Sequence, residues 1–264
     1  MSIYLHIPLV IMLLGITARG TAFVFRNYDA VKDNMQSVYN RVFLYSSFVT
    51  PLFVGIIAGS AISGRINPNA TDFLSAYVFC WLNWFSVAIG LFTVCLCAFL
   101  ASVYLVGEAK DDDEKREFIH KALVWNIVTV GCGAIVFIAA TAEHIPLFDW
   151  VVGNPVGLTA VIAASISLMV LWYLLSTGKT IIPRVLAGFQ VTMILLAVTY
   201  AHFPNFVVLK TGTRLSLFRH QAPPATMNAL AWALLIGSVF ILPFLIYLYY
   251  SFQKGKHEAN TAGH

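Results

Sequence analysis

Charge is scarce in this chain. Asp, Glu, Lys and Arg make up 11% of its 264 residues, where soluble domains carry about 25%. The polar segments are short, which leaves no room for a sizeable aqueous domain. The net charge of +4 is modest, and most of the basic residues stand in loops. That distribution reports membrane topology rather than a nucleic-acid surface. Metal-type spacing is missing too. Cys80, Cys95, Cys97 and Cys132 all lie inside apolar runs, with no CxxC and no Cys/His pattern. Cys95 and Cys97 fall on different sides of a helix, so they read as small membrane-buried residues. No nucleotide-binding loop, GxSxG or HExxH occurs. The N-terminal apolar run lacks the short core, basic flank and small-residue site of a cleaved signal.

What the chain does have is apolar length. Runs of spanning length cover approximately 3–25, 42–62, 76–106, 122–142, 156–176, 183–203 and 226–252. The first, at 1.5 Å per residue, reaches about 34 Å, enough to cross a bilayer. In lipid only helices and closed barrels satisfy their own backbone. The expected fold is therefore all-α, a polytopic bundle of about seven spanning helices in one integral-membrane domain, 1–264. The third run is long enough to tilt or to extend beyond the bilayer. Pro51 and Pro243 fall inside runs and are expected to kink them.

Loop charges predict an orientation. On one side stand Arg26, Lys32, Arg41, Lys110, Lys115, Arg116, Lys121, Lys179, Arg184, Lys254 and Lys256. The other side holds Arg65, Lys210, Arg214 and Arg219. The positive-inside rule then places the N-terminus out and the C-terminus in the cytoplasm. The loop 204–225, with three basic residues, dissents. Asp111, Asp112, Asp113 and Glu114 are too tightly run together for a hard-cation loop and read as a solvated cap on the next helix.

Few residues are placed to carry chemistry. Of the seven histidines, only His6 and His202 lie within runs, each near an end and without a partner at haem-ligand spacing. Glu143, His144 and Asp149 cluster at one helix end, where a solvated terminus outweighs a proton relay. The six tryptophans mostly fall near helix ends, as in an interfacial belt. Arg19 stands apart. It sits about 9 Å of helical rise before the end of the first run, and Arg26 closes that run. Such a guanidinium either snorkels to the interface or pairs with a carboxylate on another helix. No other run supplies a deep Asp or Glu, so a partner would lie outside this chain.

The stretch ARGTAFVFR (Ala18–Arg26), followed by SSFVTPLFVGIIAGSAISG (Ser46–Gly64), resembles subunit II of the cytochrome bd quinol oxidases. The positions that carry it are Arg19, Gly20, Phe23 and Arg26, then Ser47, Pro51, Gly55 and Gly59. Further along, FPN at Phe203–Asn205, LSL at Leu215–Leu217, and Ala222, Pro223 and Thr226 are similar to that family's last loop. ILPFLIYLYYSF (Ile241–Phe252) is similar to its final helix.

The resemblance implies an accessory subunit of a bd-type quinol oxidase in a prokaryotic cytoplasmic membrane. Such a subunit ligates no haem or metal itself. It packs on a larger haem-bearing subunit I, in a complex that oxidises quinol and reduces oxygen to water. Arg19 and Arg26 become candidates for a proton path or a subunit interface. Ser47, Pro51, Gly55 and Gly59 become candidates for helix packing. Two departures stand out. The family's first two helices have no counterpart here, the pattern expected of a truncated, split or mis-started reading frame. Val24 also stands where the family often has an acid. The reading from another class is a seven-helix small-molecule transporter, which would be expected to show repeats and a polar midplane site.

Overall fold

The computed structural model describes residues 3–28, 35–218 and 222–261. Lys32, Arg219, His220 and His264, named or counted above, lie outside the described residues. In chain order the elements are α1 (His6–Tyr28), α2 (Met35–Ile62), α3 (Phe73–Tyr77), α4 (Trp84–Val106), α5 (Asp112–Ala142), α6 (Leu147–Val151), α7 (Pro155–Ser176), α8 (Ile181–His202), β1 (Val207–Val208), β2 (Arg214–Leu215) and α9 (Pro224–Thr261). Among the described residues seven helices are long and apolar enough to cross a membrane: α1, α2, α4, α5, α7, α8 and α9. The all-α, seven-span expectation is met.

The third run differs from a single tilted helix. It divides into the short α3 and the spanning α4, because the segment between them offers a cap. Asn83 adopts an extended backbone, and its side-chain oxygen accepts the Ser86 N–H at 2.8 Å. That bond satisfies one of the donors a helix start leaves free. α5 begins at Asp112, ten residues before the apolar run, and draws the acidic segment into its first turn. There three carboxylates face the positive end of the helix dipole. Glu114 also accepts the Lys110 N–H at 2.8 Å. Pro51 sits within α2 and Pro243 within α9, so neither ends its helix.

Two compact units make up the chain, Met1–Ser216 and Leu217–His264. The second consists mainly of α9. In the first, α2 packs between α1 and α4, α4 packs on α5, and α7 pairs with α8, which also touches α4. Three apolar clusters hold this unit. One joins the start of α4 to the end of α5 and to α6, around Phe85, Ala140, Leu147 and Val151. Another, at the opposite end of α4, gathers Phe99, Val103, Ala122, Leu171, Leu175 and Ala187. The third buries Leu5, Ile56, Ile66, Cys80 and Trp81 beneath the β1–β2 hairpin. Val207 and Leu209 of the hairpin segment pack on that cluster, and the Lys210 N–H donates to Ile66 O at 2.9 Å. Residues 204–216 of the dissenting loop thus form a folded cover, and Lys210 and Arg214 decorate a structure rather than a plain connection.

Candidate functional site

Arg19 and Arg26 lie seven residues apart on α1, two turns of helix and so on one face. Both are exposed. Their guanidinium carbons stand 5.4 and 5.3 Å from the centroid of one ring, Phe43 of α2. Both distances fall within cation–π range. Their Cα atoms are separated by about 10 Å of helical rise, so the two side chains converge to share that ring. Phe23 packs on Phe43 from the same helix at 6.4 Å, and Phe25 stacks on Tyr39 at 5.7 Å. Among the described residues no ion pair or hydrogen bond joins either guanidinium to a carboxylate. The aromatic patch eases the desolvation of the two charges but does not neutralise them.

Of the four packing candidates, Gly55 and Gly59 turn towards α4, whereas Ser47 stands one turn from Phe43, on its side of α2. A Cβ added at Gly55 would stand 2.7 Å from Gly90 Cα and 2.7 Å from Ile89 O; one at Gly59 would stand 2.9 Å from Ser86 Cα. Small residues four apart on α2 therefore face small residues four apart on α4, and the two backbones approach closely. Ser60 and Ser86, both fully buried, share a hydrogen bond of 3.3 Å at this crossing. Gly15 of α1 meets Thr50 of α2 less closely: a Cβ there would stand 2.6 Å from the Thr50 hydroxyl oxygen but 3.6 Å from its backbone nitrogen. Gly15, Ser86 and Gly90 were not singled out in the sequence, although the spacing Ser86–Gly90 repeats that of Gly55–Gly59. Pro51 lacks an N–H and so leaves the carbonyl of Ser47 without its usual donor. The Ser47 hydroxyl turns back to Phe43 O at 2.6 Å.

Two charged groups take structural positions that loop charges do not suggest. Glu143, expected at a solvated helix end, has a side chain only 7% exposed. Its Oε1 accepts the Trp84 N–H at 2.9 Å, so it caps α4 beside Asn83. Its Oε2 stands 3.3 Å from Arg65 Nη2, an ion pair by distance without hydrogen-bond geometry. His144 adopts a left-handed backbone, φ 56°, and closes α5. Neither it nor Asp149 hydrogen-bonds to Glu143. At the opposite end of α4, Arg184 of α8 donates to Tyr104 O at 2.7 Å and lies 3.5 Å from Glu108. A cation there meets the negative end of the α4 dipole.

The two histidines within runs each engage one ring nitrogen in a bond to their own helix or its start. His6 Nδ1 bonds Ile3 O at 2.7 Å, and its ring meets Tyr77 edge-on at 5.1 Å. His202 is 7% exposed, its Nδ1 bonds Val198 O at 2.9 Å, and Trp150 packs against its ring at 4.4 Å. The His202 Nε2 is buried and has no hydrogen-bond partner among the described residues. Among the described residues no three His, Cys, Asp or Glu side chains converge as a metal site. The Trp172 Nε1 donates to the buried Asn126 Oδ1 at 2.8 Å.

Comparison with known families supplies what the geometry alone does not. Residues 1–252 match the sequence profile of the family described as cytochrome bd terminal oxidase subunit II. No curated protein matches the chain.

Proposed function

The chain belongs to the cytochrome bd terminal oxidase subunit II family, and on that premise we propose that it packs on the haem-bearing subunit I and stabilises it through the face of α1 and α2 that carries Arg19, Arg26 and Phe43. Membership makes it a subunit of a bd-type quinol oxidase, a multi-pass membrane complex whose haems the family places on the partner subunit. The contribution of this chain is then positional. It holds a rigid bundle against its partner and brings two fixed positive charges to the interface.

One observation carries this reading. Two guanidiniums stand exposed on a membrane-spanning helix with no carboxylate to pair them among the described residues. Uncovered by a partner, such charges are costly in hydrocarbon, so intramembrane arginines face a protein interior or a cavity and pair there. A carboxylate on the proton path of subunit I suits Arg19. An orientation with the N-terminus outside agrees with the loop charges and places the pair towards the cytoplasmic half.

Arg19→Ala tests the proposal. Leaving a buried carboxylate of the partner without its cation costs several kcal/mol. Membranes carrying the variant should lose oxidase activity, haem content, or both, and less of subunit I should co-purify. Wild-type activity together with wild-type haem content would refute it.

A further inference from the structure

Between α2 and α4 the chain carries an apolar stretch that does not span. No charged residue occurs between Asp72 and Glu108, yet the first part, residues 73–83, folds apart from α4. Asp72 caps α3, its Oδ2 accepting the Ser75 N–H at 3.2 Å. Turns then carry the backbone on. The Phe79 N–H donates to Leu74 O at 2.9 Å, and the Leu82 N–H to Val78 O at 2.9 Å. Backbone groups are thus paired locally, without a long helix, as a segment lying against lipid requires.

The segment has two sides. Ala76, Cys80 and Trp81 turn inward and are buried, the last two in the cluster that holds Leu5, Ile56 and Ile66. The Cys80 thiol donates to Tyr4 O at 3.4 Å and the Trp81 Nε1 to Tyr77 O at 2.7 Å, which fixes the segment on its bed. Phe73, Leu74, Phe79, Leu82 and Trp84 turn outward. Each is about half exposed or more, and Trp84 reaches 81%. So dense an apolar surface marks contact with a membrane or with another protein.

The length of α4 favours the membrane. Its 23 residues rise about 34 Å, close to the roughly 30 Å of a hydrocarbon core. With α4 in the bilayer, Trp84 in its first turn stands at the edge of the hydrocarbon, and residues 73–83 lie level with the headgroups. Tryptophan collects at that level, and there the Trp, Phe and Leu faces of surface-lying segments enter the membrane. Arg65, Asn69 and Asp72, just before the segment, are exposed and mark the water side. The outward face carries no charge with which to select a protein partner.

We propose that residues 73–84 form an interfacial foot, whose outward face enters the headgroup and upper acyl layer of one leaflet and anchors the start of α4 there. The occupant of this face is a lipid surface. The inference depends on membrane insertion and not on how the chain meets subunit I, so it can fail while the proposed function stands.

Photolabelling of the purified complex in liposomes provides the test. Two phosphatidylcholines are compared, one with a diazirine near the headgroup and one with a diazirine at the end of an acyl chain, beside a water-soluble diazirine. Labelled residues are located by mass-spectrometric peptide sequencing. The headgroup-proximal probe should label Phe79, Leu82 and Trp84 at least about threefold more than the acyl-end probe, with or without label from the water-soluble one. Label from the water-soluble probe alone would put the face in water. Equal or stronger label from the acyl-end probe would put it in the hydrocarbon core. No label from any probe would put it beneath a protein such as subunit I. Each of these three results overturns the proposal.

Discussion

Gly55→Ala is the sharpest probe of how the bundle is held together. The new methyl group would stand 2.7 Å from Gly90 Cα and from Ile89 O, and 2.5 Å from Thr93 Oγ1. A threonine rotamer can yield, but backbone atoms of a packed helix cannot. Restoring an ordinary contact of about 3.5 Å would move α4 away from α2 by about 0.8 Å, and a gap of that size forfeits a quarter to a half of the dispersion energy of the atoms involved. Overpacking of this kind costs about 1–3 kcal/mol. The same substitution at Gly131 meets nothing within 4 Å, and there alanine should be neutral or should gain up to about 1 kcal/mol through helix propensity. The assay is unfolding of the two purified variants in mixed micelles of increasing SDS fraction, followed by far-UV circular dichroism. A clear loss for Gly55→Ala beside none for Gly131→Ala is the expected result. Equal midpoints for the two would refute the claim that α2 and α4 meet backbone to backbone.

Other expectations follow from the ends of α4. Glu143→Ala removes the acceptor of the Trp84 N–H and the ion-pair partner of Arg65, and should cost about 1–3 kcal/mol in the same unfolding assay. Glu143→Gln keeps the cap and should recover most of that loss. Cys80, which precedes α4, is buried and donates to Tyr4 O at 3.4 Å; burial pushes its thiol pKa up. Only the thiolate alkylates, so at pH 8 it should react with maleimide more slowly than a free thiol and accelerate only as pH rises past the ordinary thiol range. Rapid labelling at pH 8 in the folded protein would contradict that placement.

Some of the packing could be read from the residues alone. Gly55 and Gly59 on one helix announce a close approach, and Pro51 within a spanning run announces a tolerated gap in the hydrogen-bond ladder. The break in the third run is different. Asn83 is a good cap, but it stands in an apolar stretch whose hydropathy barely falls, and only its extended backbone shows that the helix restarts there. Glu143 misleads for a related reason. A carboxylate beside a histidine at a helix end looks solvated until the start of α4 is known to lie over it.

The sequence by itself determined that this chain is a set of seven spanning helices, because hydrocarbon forces every backbone group to be satisfied within its own segment. It also carried, in Arg19, Arg26 and the motif that follows them, the signature of the family. Partnership was left to the tertiary structure. Lipid is as apolar as the side chains that pack, so a membrane helix has no polar face to show which side turns inward. That Gly55 meets Gly90 and that Arg19 and Arg26 share Phe43 are consequences of how the helices cross.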